Sequence, residues 1–406
     1  MNEPAVVLHE GRHVALERLH PWIFSGAVAR VEGDPETGET VAVRTPTGRT
    51  LALGAYSPDS KIRVRVWTFR NGAPVDTDLL RRRLERAIGE RLPHSRTDDV
   101  GGRGVRLVNG ESDGLPGLIV DRYADVTVCQ FLSAGADRWR EILVDLLQDL
   151  APARSVFERS DDSARVKEGL SEVRGLLAGE EPPERTSIHE GGHRFHVDVR
   201  KGHGTGFYLD RREGRELLAE YAEDADVLDA FAYTGASGVV AAGAGARSLV
   251  SVDLSEEFLE EGRQHLKVNG LDHLGHEAIQ GDASDVLRSL RAEGRRFDLI
   301  VLDPPPFVQA RNQVRRGARG YKDVNLQAFQ LLRSGGVLFT FSSSGHVDDA
   351  LFAKIVGDAA ADAKRPAQIL HRLGAAVDHP VALGFPEGRY LTGLVCRATT
   401  SLTQPS

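Results

Sequence analysis

Residues 297–307 read FDLIVLDPPPF. An apolar run of strand length ends on an acid, Asp303, and three prolines and an aromatic follow. Proline has no N–H and fixes its own φ, so no central strand continues through Pro304, Pro305 and Pro306. The strand therefore ends on a carboxylate whose following backbone is locked. Outward from this stretch, DVLDAFA (226–232), SLVSVDLS (248–255), EAIQGDA (277–283) and GGVLFTFSS (335–343) are further apolar runs of strand length. Helix-like segments separate them, among them SEEFLEEGRQHLKVNG (255–270) and SDVLRSLRAEG (284–294). Strands alternating with helices specify an α/β fold, a doubly wound parallel sheet of Rossmann-like type covered on both faces. In such sheets ligands bind beyond the carboxyl ends of the strands, which places DPPPF inside a cleft.

The other strand ends agree. The first, DAFAYTGASG (229–238), runs into a glycine turn that lets a ligand approach the backbone. The second ends in Asp253, about twenty residues on, an acid suited to ribose hydroxyls. The third ends in Asp282, which could accept from an adenine amino group. Either acid could equally cap the helix that follows it. Gly235, Gly238, Gly243 and Gly245 lack the G-x-G-x-x-G spacing of a dinucleotide site, which disfavours NAD. A cofactor with ribose and adenine but no phosphate fits better, and that is S-adenosylmethionine.

A chain of 406 residues accommodates two or three domains. The first seventy or so residues alternate with period two between turns, as in ETVAVRTPTGRTLALGAYS (39–57) and KIRVRVWTF (61–69), which predicts a small β-barrel or sandwich. DTDLLRRRLERAIGERL (76–92) and DRWREILVDLLQDL (137–150) read as helices, and LPGLIVDRYADVTVCQFL (115–132) as a hairpin. Residues 151–185 suggest a strand followed by an exposed linker. The expected layout is a small β domain at 1–73, a central α+β domain at 74–185 and an α/β domain at 186–406.

No apolar run is long enough for a membrane span, and the N-terminus has no signal-peptide pattern. Two cysteines, Cys129 and Cys396, read as buried free thiols, and no metal site is expected; this points to the cytoplasm, with no membrane partner. The net charge of −8 argues against a surface coated with positive charge. Locally, RNQVRRGARGYK (311–322) carries five basic residues and no acid, a basic loop beside the candidate site that would attract an anionic substrate.

Several motifs carry a family resemblance. These are DPP-x-F, GTGFYLDRR (204–212), LDAFAYTGASG, GYKD (320–323) and the tail DHPVALGFPEGRYLTGLVCR (378–397). HPWIFSGAVARV (20–31), LALGAYSPDSKIRVRVW (51–67) and NGESDGLPGLIVDRY (109–123) add to them. Together they resemble the bacterial large-subunit ribosomal RNA cytosine-C5 methyltransferases with an N-terminal PUA domain. The resemblance implies S-adenosylmethionine and an RNA substrate, and leaves a homodimer open. It implies that Thr205, Gly206 and Phe207 flank the methionine end of the cofactor. Asp229, Phe231 and Gly235 would line the first turn, Asp253 with Leu254 the ribose, and Asp282 with Ala283 the adenine. Asp303 would sit beside the target base, with Pro304 and Pro305 fixing its backbone. Arg311, Arg315, Arg316, Arg319 and Lys322 would hold phosphates, while Tyr321 or Phe307 stacks on the extruded base.

Two positions depart from the family pattern. Pro306 stands where DPPKF has Lys, and Ser343 stands where FSCSG has Cys. C5 methylation needs a nucleophile at C6 of the ring, and a serine hydroxyl is far weaker than a thiolate unless a base activates it. His346, three residues on, is the one base near in sequence. Three readings follow: methylation of a base nitrogen, where the target's own lone pair attacks; C5 methylation with Ser343 as nucleophile; and an RNA-binding assembly protein without catalysis.

Overall fold

The computed structural model describes residues 4–69, 73–91 and 102–399. These form two compact units. The first takes in the chain up to Ile188 together with Val197–Leu209 and Val377–Gly388; the second takes in His189–His196, Asp210–Ala376 and the chain from Arg389 on.

In the first unit, strands β1 (Ala5–Leu8), β2 (Trp22–Phe24), β3 (Val28–Glu32), β4 (Thr40–Arg44), β5 (Thr50–Tyr56) and β6 (Ile62–Thr68) form a sheet ordered β2-β6-β5-β4-β1-β3. The turn between β4 and β5 needs a left-handed backbone at Gly48 (φ 88°), which glycine adopts without strain. A short helix α1 (Val14–Glu17) follows β1. Helix α2 (Thr77–Arg91) starts where Asp76 Oδ1 accepts the Leu79 N–H at 2.9 Å; the expected last residue, Leu92, lies outside the described residues. A second sheet, ordered β11-β10-β9-β8-β7, uses β7 (Gly104–Asn109), β8 (Leu118–Tyr123), β9 (Val126–Phe131), β10 (Ser155–Ser160) and β11 (Val173–Gly179). Helices α3 (Ala134–Arg138), α4 (Arg140–Leu150) and α5 (Ser163–Val166) complete it. The linker expected before residue 185 is thus in part a strand, since β11 pairs antiparallel with β10. Its half-exposed side chains gave it no clear strand signature.

The first sheet has its own core around Val6, Val41 and Val64, and two of its residues reach into the core of the second sheet. Ala55 and Trp67 of the barrel pack with Leu80, Leu107, Val120 and Phe131. Gly135 makes this possible, because a Cβ there would lie 2.4 Å from the Ala55 Cβ. Beneath it Glu168, almost fully buried, accepts from Ser57 Oγ at 2.8 Å, Ser60 Oγ at 2.5 Å and Arg65 Nη2 at 3.2 Å. The tail segment Val377–Gly388 joins this unit by edge-on packing of Phe385 on Trp22, ring centroids 4.7 Å apart, and by the Arg106 N–H donating to Asp378 Oδ2 at 3.1 Å.

A hairpin, β12 (Thr186–Glu190) and β13 (His193–Val197), precedes the seven-stranded sheet. That sheet comprises β14 (Asp226–Ala230), β15 (Ser248–Asp253), β16 (Gly275–Gln280), β17 (Phe297–Leu302), β18 (Leu332–Ser342), β19 (Ala367–Leu373) and β20 (Thr392–Ala398), ordered β16-β15-β14-β17-β18-β20-β19. All its pairings are parallel except those of β20. Helices α6 (Arg212–Ala219), α7 (Ala236–Gly243), α8 (Glu256–Val268), α9 (Ala283–Ala292), α10 (Val314–Leu331) and α11 (Asp349–Asp362) connect the strands. Leu299, Ile300, Val301 and Leu302 of β17 are all buried, the two-sided burial of a central parallel strand. The strand order reverses between β14 and β17, so the cleft beyond their carboxyl ends is the topological switch point. No helix among the described residues is long and apolar enough to cross a membrane.

Glu168 is the shared acceptor of Ser57, Ser60 and Arg65, and its removal leaves two buried hydroxyls without an acceptor while Arg65 keeps Glu111. Glu168→Ala should lower stability by about 1–3 kcal/mol, read as a shift of the urea midpoint. A midpoint within error of wild type would mean that Glu168 does not hold barrel and sheet together.

Candidate active site

The switch point is organised by side chains that brace one another. Asp303 leaves β17 and meets a guanidinium: Arg211 Nε donates to Asp303 Oδ2 at 2.7 Å and Arg211 Nη2 to Asp303 Oδ1 at 2.9 Å. This is the fork-to-fork geometry that fixes a carboxylate's plane as well as its position. Arg211 is itself held. Its Nη1 donates to Asp210 Oδ2 at 2.8 Å, Tyr390 Oη donates to the same oxygen at 2.8 Å, and the guanidinium lies over the Phe341 ring at 5.5 Å. Burial opposes the charge, but Asp210 and Asp303 together raise the Arg211 pKa above its ordinary value. Arg211 therefore stays charged at any working pH.

The turn after β14 is strained and tied down. Phe231 (φ 63°) and Tyr233 (φ 51°) are non-glycine residues in the left-handed region, a conformation that persists only where neighbours over-determine it. Asp253 supplies part of that restraint: Oδ2 accepts the Tyr233 N–H at 2.9 Å and Oδ1 the Ser255 N–H at 3.0 Å. Gly235, also left-handed at φ 73°, faces Gly262 of α8, where a Cβ would come within 3.1 Å of the Gly262 Cα. His265 of α8 adds a strut. Its Nε2 accepts the His196 N–H at 2.8 Å, which leaves the proton on Nδ1 to be donated to the Thr234 carbonyl at 2.8 Å. Ligand atoms of His196, Glu261 and His265 lie within 4.8 Å of one another, but the His265 ring has no lone pair left for a metal.

Asp229 is buried at the end of β14 and accepts the Gly238 N–H at 3.1 Å. Burial, joined by the nearby charges of Asp303 and Asp253, pushes its carboxyl up to about 8. Asp282 caps α9, accepting the Ser284 N–H at 2.9 Å and the Asp285 N–H at 3.3 Å, and Ala283 packs beneath it. Leu254 is 72% exposed at the end of β15, an apolar side chain left open beside the acids. Thr205, Gly206 and Phe207 belong to the first unit. The Thr205 hydroxyl donates there to Asp121 Oδ2 at 2.6 Å and meets Tyr123 Oη at 2.8 Å, so it is engaged structurally.

The basic segment is a helix, which corrects the expected loop. After a single 3-10 turn (Arg311–Gln313), α10 runs unbroken from Val314. Its face toward DPPPF carries Gly317 and Gly320. A Cβ on Gly317 would lie 2.6 Å from the Phe307 carbonyl oxygen, and one on Gly320 would lie 3.1 Å from the Phe307 ring. Pro306, Phe307, Gln309, Gln313, Arg316 and Gly317 line a cavity of about 350 Å³ here. Arg311, Arg315, Arg316 and Arg319 are exposed and have no ion-pair partner among the described residues. Lys322 instead pairs with Asp362 at 2.7 Å. Tyr321 is fully buried, packed on Phe307 and Phe352 and bonded to Ser344 Oγ at 2.9 Å, so it does not stack on a base as expected. Phe307 remains half-buried beside the cavity.

Ser343 follows β18 half-buried, with no hydrogen-bond partner among the described residues. His346 is exposed in the next turn, and no hydrogen bond joins it to Ser343. Cys129 and Cys396 are buried, and burial raises both thiols, Cys396 to about 12. Sequence reasoning missed Arg211, although it stands inside the quoted GTGFYLDRR; no local periodicity marks an arginine whose partner is 92 positions away.

The geometry agrees with known proteins. A family model described as a PUA-like domain matches residues 6–69, and one described as an S-adenosylmethionine-dependent methyltransferase matches residues 170–378. The chain is 49% identical over 393 residues to the ribosomal RNA large subunit methyltransferase I of Aeromonas salmonicida, covering 97% of this chain and 99% of that protein. It is 47% identical over 393 residues to the protein of the same name from Shewanella denitrificans, covering 97% of this chain and 98% of that one. A solved Streptococcus mutans structure assigned as a SAM-dependent methyltransferase shares the fold with a TM-score of 0.84 at 21% identity, covering 97% of this chain and 99% of that one.

The raised Asp229 carboxyl makes a signed prediction. The folded chain keeps that proton up to about 8, whereas an unfolded aspartate loses it near about 4. Between these values the folded state binds more protons, so stability falls as pH rises through the window. Asp229→Asn should flatten that decline in a series of thermal melts without cofactor. An unchanged slope would contradict the assignment.

Proposed function

The chain belongs to the S-adenosylmethionine-dependent methyltransferase family that includes the ribosomal RNA large subunit methyltransferases I, and from that premise we propose that it methylates a base of large-subunit ribosomal RNA without a covalent enzyme–base adduct. The observation that carries this reading is Asp303, held in a fixed plane by Arg211 at the end of β17 while Ser343 has no base to activate it.

The cofactor's donor set fits the residues present. Carboxylates at Asp229, Asp253 and Asp282 surround a glycine turn, which suits a ligand with a ribose diol and positive charge. Those residues, with Phe231, Gly235, Leu254 and Ala283, would hold S-adenosylmethionine, which supplies an electrophilic methyl group when bound. Asp303 accepts a proton-bearing edge of the target base, and Pro304 and Pro305 keep its backbone from moving. Pinning the carboxylate in advance avoids reorganisation during reaction, which is how such groups contribute most. The base must leave any duplex to arrive, at a cost of roughly a few kcal/mol. The cavity beside Phe307 offers it a place, and the exposed arginines of α10 offer its flanking phosphates a partner. By role, residues 1–73 and 74–185 engage RNA and 186–406 carry the transfer.

The second reading keeps cytosine C5 as target with Ser343 as nucleophile. It is favoured by the position of Ser343 at the end of β18, the strand next to β17. It requires an acceptor for the serine proton, and His346 is not placed as one.

Ser343→Ala should slow methyl transfer only modestly, about fivefold, the loss of one hydrogen bond worth about 1 kcal/mol. Asp303→Ala should cost about 10²–10³ in rate. RNA carrying 5-fluorocytosine should trap no covalent complex. A complex trapped by the wild type and absent from Ser343→Ala would restore C5 chemistry. If neither protein methylates ribosomal RNA or its precursor particles, the chain is a binding protein.

The arginine face gives a separate test. Replacing Arg315, Arg316 and Arg319 by Ala should weaken RNA binding and flatten its salt dependence by a slope of ~0.7 per lost contact, with cofactor affinity unchanged. RNA binding indifferent to all three changes would move the phosphate contacts elsewhere.

A further inference from the structure

The first unit contains a cavity of about 650 Å³ between the barrel and the five-stranded sheet, lined by none of the residues assigned above. Trp22, Ile62 and Arg65 of the barrel line one side; Ile119, Leu132 and Ala164 line the other. Its floor is a fixed pairing of opposite charges. Arg65 Nη1 and Trp22 Nε1 both donate to Glu111 Oε1 at 2.6 Å, and Arg65 Nη2 reaches Glu168. The guanidinium lies over the Trp22 ring at 5.1 Å. Lys61 and Lys167, both exposed, stand among the lining residues. One donor is left over: Arg65 Nε is buried and has no partner among the described residues. A buried N–H without an acceptor is rare enough to need an explanation, and a bound ligand is one.

We propose that this cavity receives an unpaired nucleotide of the RNA substrate. The proposal rests on the ribosomal RNA reading above and adds a second contact to it. The apolar walls formed by Ile62, Ile119 and Leu132 suit the flat face of a base. Nucleobases carry donors and acceptors on one edge, and the floor presents carboxylate and guanidinium side by side. Lys61 and Lys167 can meet the phosphates of the same strand. Single-stranded RNA is recognised in this way, by a base splayed out of its stack with its edge hydrogen-bonded. An apolar peptide side chain would offer the Arg65 and Glu111 side chains no hydrogen bond and is disfavoured for that reason.

The probe is a large-subunit ribosomal RNA transcript carrying 4-thiouridine, irradiated with the full-length protein and read by mass spectrometry of peptides. We expect crosslinks on the peptides that contain Trp22 and Ile62–Arg65. Ala164→Trp, which fills the cavity, should remove them and weaken RNA binding about tenfold. The exposed pair Lys61→Glu with Lys167→Glu should weaken binding similarly and serves where the bulkier variant fails to fold. S-adenosylmethionine affinity should be unchanged in both. RNA that binds both variants as well as wild type, with no crosslink in the cavity, overturns the nucleotide site alone. Wild-type protein that neither binds nor methylates ribosomal RNA overturns the function and the site together.

Discussion

The bidentate pairing of Arg211 with Asp303 is the constraint on which the site depends. A carboxylate at the end of a central strand is free to rotate about its side-chain bonds. Here Arg211 takes both oxygens, while Asp210, Tyr390 and the Phe341 ring hold Arg211. Three prolines remove the backbone freedom that would undo this alignment. Gly317 and Gly320 then let α10 lie against Phe307, so the same contact that orders the DPPPF turn also brings a row of exposed arginines beside it. The absence of a side chain at these two positions is what lets the basic helix lie against the turn that carries Asp303.

Strain and pKa point to the same place. Phe231 and Tyr233 occupy left-handed backbone only because Asp253 and His265 fix the turn from two sides. Asp229 sits behind that turn and, without a cationic ligand, holds its proton to about 8. A perturbed acid, Asp229, and strained backbone at one strand-end cleft are the physical signature of a functional site.

The parallel sheet was legible because its strands are short apolar runs bounded by helices with polar faces, and because DPPPF cannot continue a strand. Asp253 and the glycine turn were legible from their spacing. The rest depended on contacts that no local pattern encodes. Arg211 and Asp303 are 92 positions apart, and Arg65 and Glu168 are 103 apart. Tyr321 looked like a stacking residue because it follows a basic run; only the packing of α10 turns it inward. The strand β11 was hidden because its residues are half-exposed on the sheet edge and lack alternation. Asp282 illustrates a different limit: the same residue type serves as a helix cap and as a ligand, and its sequence position is compatible with both.

The central claim is that Arg211 acts through Asp303. Single-turnover methyl transfer to ribosomal RNA, measured for wild type, Arg211→Ala, Asp303→Ala and the double variant, tests it most directly. If the arginine's task is to hold the carboxylate, the double variant should be no slower than Asp303→Ala alone, since a clamp has no effect once its load is gone. Rate losses that multiply, with the double variant slower by the product of the two single effects, would contradict the account and give Arg211 a role independent of Asp303.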